Sequence, residues 1–119
     1  MNVCIIGASQ KPDRYSYKAM MLLAEKGHRV FPVHPKLSEI EGIPVYARLA
    51  DLPEPVHTIT MYVGPDRSAE MADEITSIKP QRVIFNPGAE NPVLSEKLAK
   101  AGIEVLEACT LVLLKTGQF

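Results

Sequence analysis

The sequence predicts an α/β fold, a doubly wound parallel sheet with helices on both faces, built as a single domain over residues 1–119. Three observations carry this reading. Short apolar runs rich in β-branched residues alternate along the chain with segments of helical periodicity, the order that right-handed strand–helix–strand crossovers produce. The first run, "NVCII", stops at a glycine, as a buried parallel strand feeding a turn does. No internal repeat, low-complexity tract or linker divides the 119 residues, a length that supports one core.

Asn2 to Ile6 is the first strand. From Ser16 to Lys26, Ala19, Met20, Leu22, Leu23 and Ala24 form a broad apolar helical face, and Gly27 stands where a C-cap glycine belongs. Arg29 to Val33 is the second strand, with Pro32 late enough to be tolerated. Pro44 to Tyr46 is expected as a short third strand, followed by a helical turn broken at Pro53 and Pro55. His57 to Val63 is the fourth, closed by "GP". Ser68, Met71, Ala72, Ile75 and Ile78 then fall on one helical stripe that Pro80 ends. Gln81 to Phe85 is the fifth strand. Asn91 followed by Pro92 is a helix start, with a side-chain cap and a proline at the first helical position. Leu94, Leu98 and Ala101 supply that helix's buried face and Gly102 its end, before a sixth strand at Ile103 to Glu107. Leu111 to Leu114 reads as a short terminal helix covering the sheet, with a last strand as the alternative.

Thirteen basic and fourteen acidic residues leave a formal charge of −1, which argues against general attraction to nucleic acid or to a membrane surface. Aromatic residues make up 6% and tryptophan is absent, so no stacking platform for single strands is expected. No apolar run approaches the roughly 20 residues of a membrane span. The start, "MNVCIIGAS", lacks the basic region of a signal peptide. Two cysteines cannot build a disulfide scaffold, and a reduced, cytoplasmic setting is expected.

In such a sheet, ligands bind beyond the carboxyl ends of the strands, where strand order reverses. That rule gathers the loops "GASQKPDRYS", "VHPK", "YVGPDR", "NPGAEN" and "EACT" on one edge. Gly7-Ala8-Ser9 is a shortened glycine-rich phosphate loop, a weak signal alone. The same loop carries Lys11, Arg14 and Ser16, suitable donors to a pyrophosphate at a helix start. His34 and Lys36 close the second strand, where a dinucleotide enzyme keeps an acid for the ribose hydroxyls. A lysine there favours a phosphorylated ribose, which NADP carries on its 2′ oxygen and coenzyme A on its 3′ oxygen. His28 lies on a helix-to-strand turn and His57 near a strand start, so they should not converge with His34 and no metal site is expected. Glu90 and Glu107 form no recognisable acid–base pair, and no nucleophile elbow or Walker motif appears. Cys109 follows the last strand and so faces the ligand edge, whereas Cys4 belongs to the core.

"GAS" with "RYSYKA", "PVHPK", "EIEGIPVYARLADLPEP", "YVGP", "VIFNPGAEN" and "ACTLVLLKTGQF" together resemble the small single-domain coenzyme A-binding proteins of bacteria and archaea. These are related to the coenzyme A-binding N-terminal domain of the succinyl-CoA synthetase α subunit. The similarity runs from Asn2 to Phe119. It implies a Rossmann-like fold that binds coenzyme A or an acyl-CoA as a stand-alone module and is not itself an enzyme. Carried over by position, Gly7, Ala8, Ser9, Arg14 and Ser16 would meet the phosphates. Val33, His34, Pro35 and Lys36 would surround the adenosine end and its 3′-phosphate. Tyr62, Val63 and Pro65 would line the path of the adenine or pantetheine, and Asn86, Pro87 and Gly88 the floor. The family often has Asn where this chain has His34. Two alternatives stand beside this reading: an NADP-binding reductase-like domain, and a subunit that completes an acyl-CoA synthetase in trans. A homodimer is compatible with exposed helix faces, though no apolar stripe demands one.

Overall fold

The computed structural model describes all residues, 1–119. The chain runs through β1 (Asn2–Ile6), α1 (Tyr15–Glu25) and β2 (Arg29–Val33), then a small hairpin of β3 (Glu39–Ile40) and β4 (Ile43–Pro44). It continues through β5 (Thr58–Met61), α2 (Pro65–Ser68), α3 (Ala72–Ile78), β6 (Arg82–Phe85), α4 (Pro92–Lys100), β7 (Glu104–Glu107) and α5 (Thr110–Lys115). Five strands form one sheet in the order β2-β1-β5-β6-β7, every pair parallel.

Alternation along each strand explains the two layers of helix. Val3 and Ile5 point into one core with Met20 and Leu23 of α1 and Leu114 of α5. Cys4 and Ile6 point the other way, into a larger core with Ile75 of α3 and Leu94 and Leu98 of α4. Strands buried on both faces are largely apolar, which is why runs such as β1 read as continuous rather than alternating. Burying a side chain such as Leu98 contributes about 1.5–3 kcal/mol.

Register places the site. Ile6 pairs with Val33 on one side and with Met61 on the other, and Met61 pairs with Phe85. Gly7, His34, Tyr62 and Asn86 therefore leave the sheet at one level. The chain goes from β1 to β2 on one side and returns to β5 on the other, so strand order reverses between β1 and β5.

Several element boundaries differ from the sequence reading. Pro44 to Tyr46 is not a strand of the main sheet: β3 and β4 pair with each other, joined by Glu41 (φ 52°) and Gly42 (φ 79°) in a tight left-handed turn. Tyr46 makes only an isolated bridge to Val33. The helix after β5 is broken: it begins at Pro65, passes through a 3₁₀ turn at Ala69–Met71 and resumes at Ala72, with Met71 at φ −99°, ψ 0° outside the helical basin. Leu111 to Leu114 lies in a helix, settling that alternative.

Candidate functional site

A cavity of about 560 Å³ opens at the carboxyl edge, over the point where strand order reverses. Gly7, Ala8, Ser9, Arg14, Ser16, Val33, His34, Pro35, Tyr62, Val63 and Pro87 all line it, with Lys11, Tyr15 and Arg67. Lys36, Pro65, Asn86 and Gly88 do not, although each neighbours a lining residue in the chain or in its loop. Arg67 and Tyr15 were passed over from sequence; the only signal for Arg67 was its place in "YVGPDR" just after a strand.

One wall is the β1–α1 loop. Gly7 has φ +87°, and a Cβ there would stand 2.9 Å from Val63 Cγ1 and 3.1 Å from the Tyr62 carbonyl. Glycine thus lets the first loop lie directly against the loop after β5. The Ser9 hydroxyl accepts from the Lys11 amide at 3.1 Å, folding the loop back toward α1. That helix begins with no side-chain cap and no acidic residue in its first turn. Its first amides are left for an outside acceptor, and the helix dipole favours an anion there. Ser16, 5% exposed, lines the cavity beside them.

The second wall comes from β2. His34 Nδ1 accepts from the backbone amides of Lys36 at 3.0 Å and Leu37 at 3.2 Å. An accepting Nδ1 leaves the proton on Nε2, so the ring is a turn-holding acceptor on one side and a donor on the other. Lys36 stands exposed at the rim, one residue beyond the lining Pro35.

Tyr62, Val63 and Arg67 form the third side. Burial pushes the Tyr62 phenol up to about 12, offset in part by the Thr60 and Thr110 hydroxyls and reinforced by the nearby Cys109. Beneath the floor lies a buried polar network. Asn86 donates to Thr60 Oγ1 at 2.7 Å and to the Met61 carbonyl at 3.0 Å, and its Oδ1 accepts from the Thr110 amide at 2.8 Å. Its side chain is fully engaged by protein partners, so Asn86 supports the floor from below while Pro87 forms it. The Gly88 amide donates to Glu90 Oε1 at 2.9 Å, giving that carboxylate a loop-bracing role.

The cavity's charge is one-sided. The cations Lys11, Arg14 and Arg67 line it beside the His34 ring, and no carboxylate does. None of these cations is in an ion pair; the pairs in the molecule are Arg29–Glu54 and Glu96–Lys100. The charge of such a surface is complementary to an anion. Cys109 is half-buried just beyond the end of β7 and does not line the cavity. Cys4 is in the core, where burial pushes its thiol up. His28 and His57 sit at the amino ends of β2 and β5, opposite His34.

Comparison with known proteins agrees with this fold. A crystal structure of an uncharacterized protein superposes with a TM-score of 0.93 at 40% identity, covering 99% of this chain and 97% of its own. The dinucleotide forming acetyl-coenzyme A synthetase 1 of Ca. Korarchaeum cryptofilum, in complex with phosphate and ADP, superposes at 0.77 with 20% identity. That match covers 90% of this chain and 25% of the synthetase, and at this identity it shows a shared fold alone. The uncharacterized Bacillus subtilis (strain 168) protein YneT is 22% identical over 72 residues, 60% of this chain, and the match spans 53% of that relative's length. Residues 1–115 match the family described as CoA binding domain, and the chain belongs to that family.

Proposed function

We propose that the protein is a stand-alone module that binds coenzyme A or an acyl-CoA, acting in the cytoplasm and not itself as an enzyme. The observation that carries this is the cation-lined, carboxylate-free cavity at the reversal of strand order. A solved relative of nearly the same length, of which this chain covers 97%, supports a single-domain protein. Gly7, Ala8, Ser9, Arg14 and Ser16 hold the diphosphate at the start of α1. Val33, His34 and Pro35 enclose the adenosine, with Lys36 reaching its 3′-phosphate from the rim. Tyr62, Val63 and Pro65 follow the adenine or pantetheine, over a floor made by Pro87 and Gly88 and braced by Asn86. Binding here requires positioned donors and no proton transfer.

Isothermal titration with coenzyme A, dephospho-coenzyme A, NADP and NAD tests this. A charge-assisted contact contributes roughly 1.5–3 kcal/mol. Dephospho-coenzyme A should therefore bind about 10- to 100-fold more weakly than coenzyme A. Lys36→Ala should weaken coenzyme A and narrow that gap, and NAD should bind poorly to both proteins. NADP binding tighter than coenzyme A would favour the reductase-like reading instead. The shared fold with the synthetase favours one second reading, a subunit that completes an acyl-CoA synthetase in trans. Co-purification with an ATP-grasp partner would support it.

A further inference from the structure

We infer that Arg67 forms the far wall of the diphosphate site, closing on that group from the β5 side while α1 and Arg14 hold it from the β1 side. This rests on the coenzyme A reading above. Lys11 and Arg14 both belong to the β1–α1 loop, so of the arginines and lysines lining the cavity Arg67 alone comes from across the reversal point.

Two further observations assign it this task. Its guanidinium makes no hydrogen bond and no ion pair, although Asp66 precedes it and Glu70 follows three residues on. Its backbone, in contrast, is tied down. The Gly64 carbonyl accepts from the Arg67 amide at 3.2 Å and from the Ser68 amide at 3.0 Å. Ser68 is fully buried and its hydroxyl accepts from Asn91 Nδ2 at 2.9 Å. The same amide group donates to the Pro65 carbonyl at 3.3 Å, while Asn91 Oδ1 caps α4 through the Leu94 amide at 3.1 Å. The short turn carrying Arg67 is thus anchored to α4. A cation on a fixed base gives up only its own side-chain freedom when an anion arrives, with no loop left to order, which favours binding. The planar guanidinium fork suits two oxygens at once, as adjacent phosphates present them. The ligand class that uses both walls is a diphosphate linking a nucleoside to a second group; a lone monophosphate at the start of α1 needs only the first.

The test is titration of wild type, Arg67→Gln and Arg67→Lys with coenzyme A, dephospho-coenzyme A and adenosine 3′,5′-bisphosphate, which lacks the diphosphate. Arg67 is exposed, so the variants should fold, and circular dichroism checks this. Arg67→Gln should weaken coenzyme A and dephospho-coenzyme A alike by about 10- to 100-fold, leaving their ratio unchanged. Adenosine 3′,5′-bisphosphate should change by less than about twofold, and Arg67→Lys should recover only part of the loss. Wild-type binding that Arg67→Gln leaves intact overturns this inference alone. So does a loss confined to the discrimination against dephospho-coenzyme A, or an equal loss for the bisphosphate. Wild type that binds no coenzyme A overturns the functional reading, and this inference with it.

Discussion

Gly7 is the residue on which the site geometry depends most directly. Its φ of +87° and the 2.9 Å approach to Val63 Cγ1 leave no room for a side chain. Gly7→Ala should cost about 1–2 kcal/mol in backbone conformation alone. Moving Val63 aside would also displace a cavity wall, so ligand binding should fall with stability. A urea midpoint equal to wild type would show that the two loops can part freely. His34 illustrates a role that residue type conceals. Read from sequence it is a weak base near a phosphate; in the structure its Nδ1 accepts two amides and holds the turn into Lys36. Asparagine can accept the same bonds through its side-chain oxygen. His34→Asn should therefore keep the wild-type midpoint, while His34→Ala loses about 0.5–1.5 kcal/mol for each bond. Tyr62 gives a pH signature. Its phenol is raised to about 12, so folding favours the neutral form. The stability it contributes is complete below the ordinary tyrosine value of about 10 and is lost as pH climbs from there toward 12. Ultraviolet titration should show a late-ionising phenol that disappears in Tyr62→Phe.

Among the elements, caps were the most readable feature. Asn91 and Pro92 announce α4, and the Asn91 side chain caps it as expected. Gly27 and Gly102, with φ of 89° and 86°, follow the ends of α1 and α4. These motifs are local, and each is complete within about four residues of chain. The hairpin of β3 and β4 and the break at Met71 were missed, because "EG" gives only a weak turn signal and the apolar stripe continues unbroken across the 3₁₀ turn. The Asn86 network was invisible for another reason: its partners Thr60 and Thr110 are 26 and 24 residues away. It joins β5, β6 and the first turn of α5, so its loss should act on all three. Asn86→Ala leaves the Thr110 amide and the Met61 carbonyl without that partner in a buried setting. A loss of about 2–4 kcal/mol in denaturant unfolding is expected. A smaller effect, under about 0.5 kcal/mol, would mean that water replaces the amide.

For the whole molecule, binding and folding are linked. If the carboxyl-edge cavity takes coenzyme A only when folded, ligand at 100 times its Kd should stabilise the protein by about 2.7 kcal/mol. Thermal melts should rise with coenzyme A concentration and stay flat with NAD; a flat response to both would show that the native state does not bind them. The doubly wound class, the order of the five sheet strands with their helices and the carboxyl edge where the cavity opens were legible in the sequence alone. Burial on both faces and helical periodicity write themselves into residue type, and the crossover rule leaves few arrangements. The glycine loop and Arg14 were legible for the same reason, being local to one strand–helix joint. Only the tertiary structure decided that Arg67 shares a cavity with Arg14, that Asn86 lies beneath the floor and that the lining ends at Pro35. Those facts depend on the register that aligns Ile6 with both Val33 and Met61. Register is a property of strands packed side by side, set by contacts between residues distant in sequence.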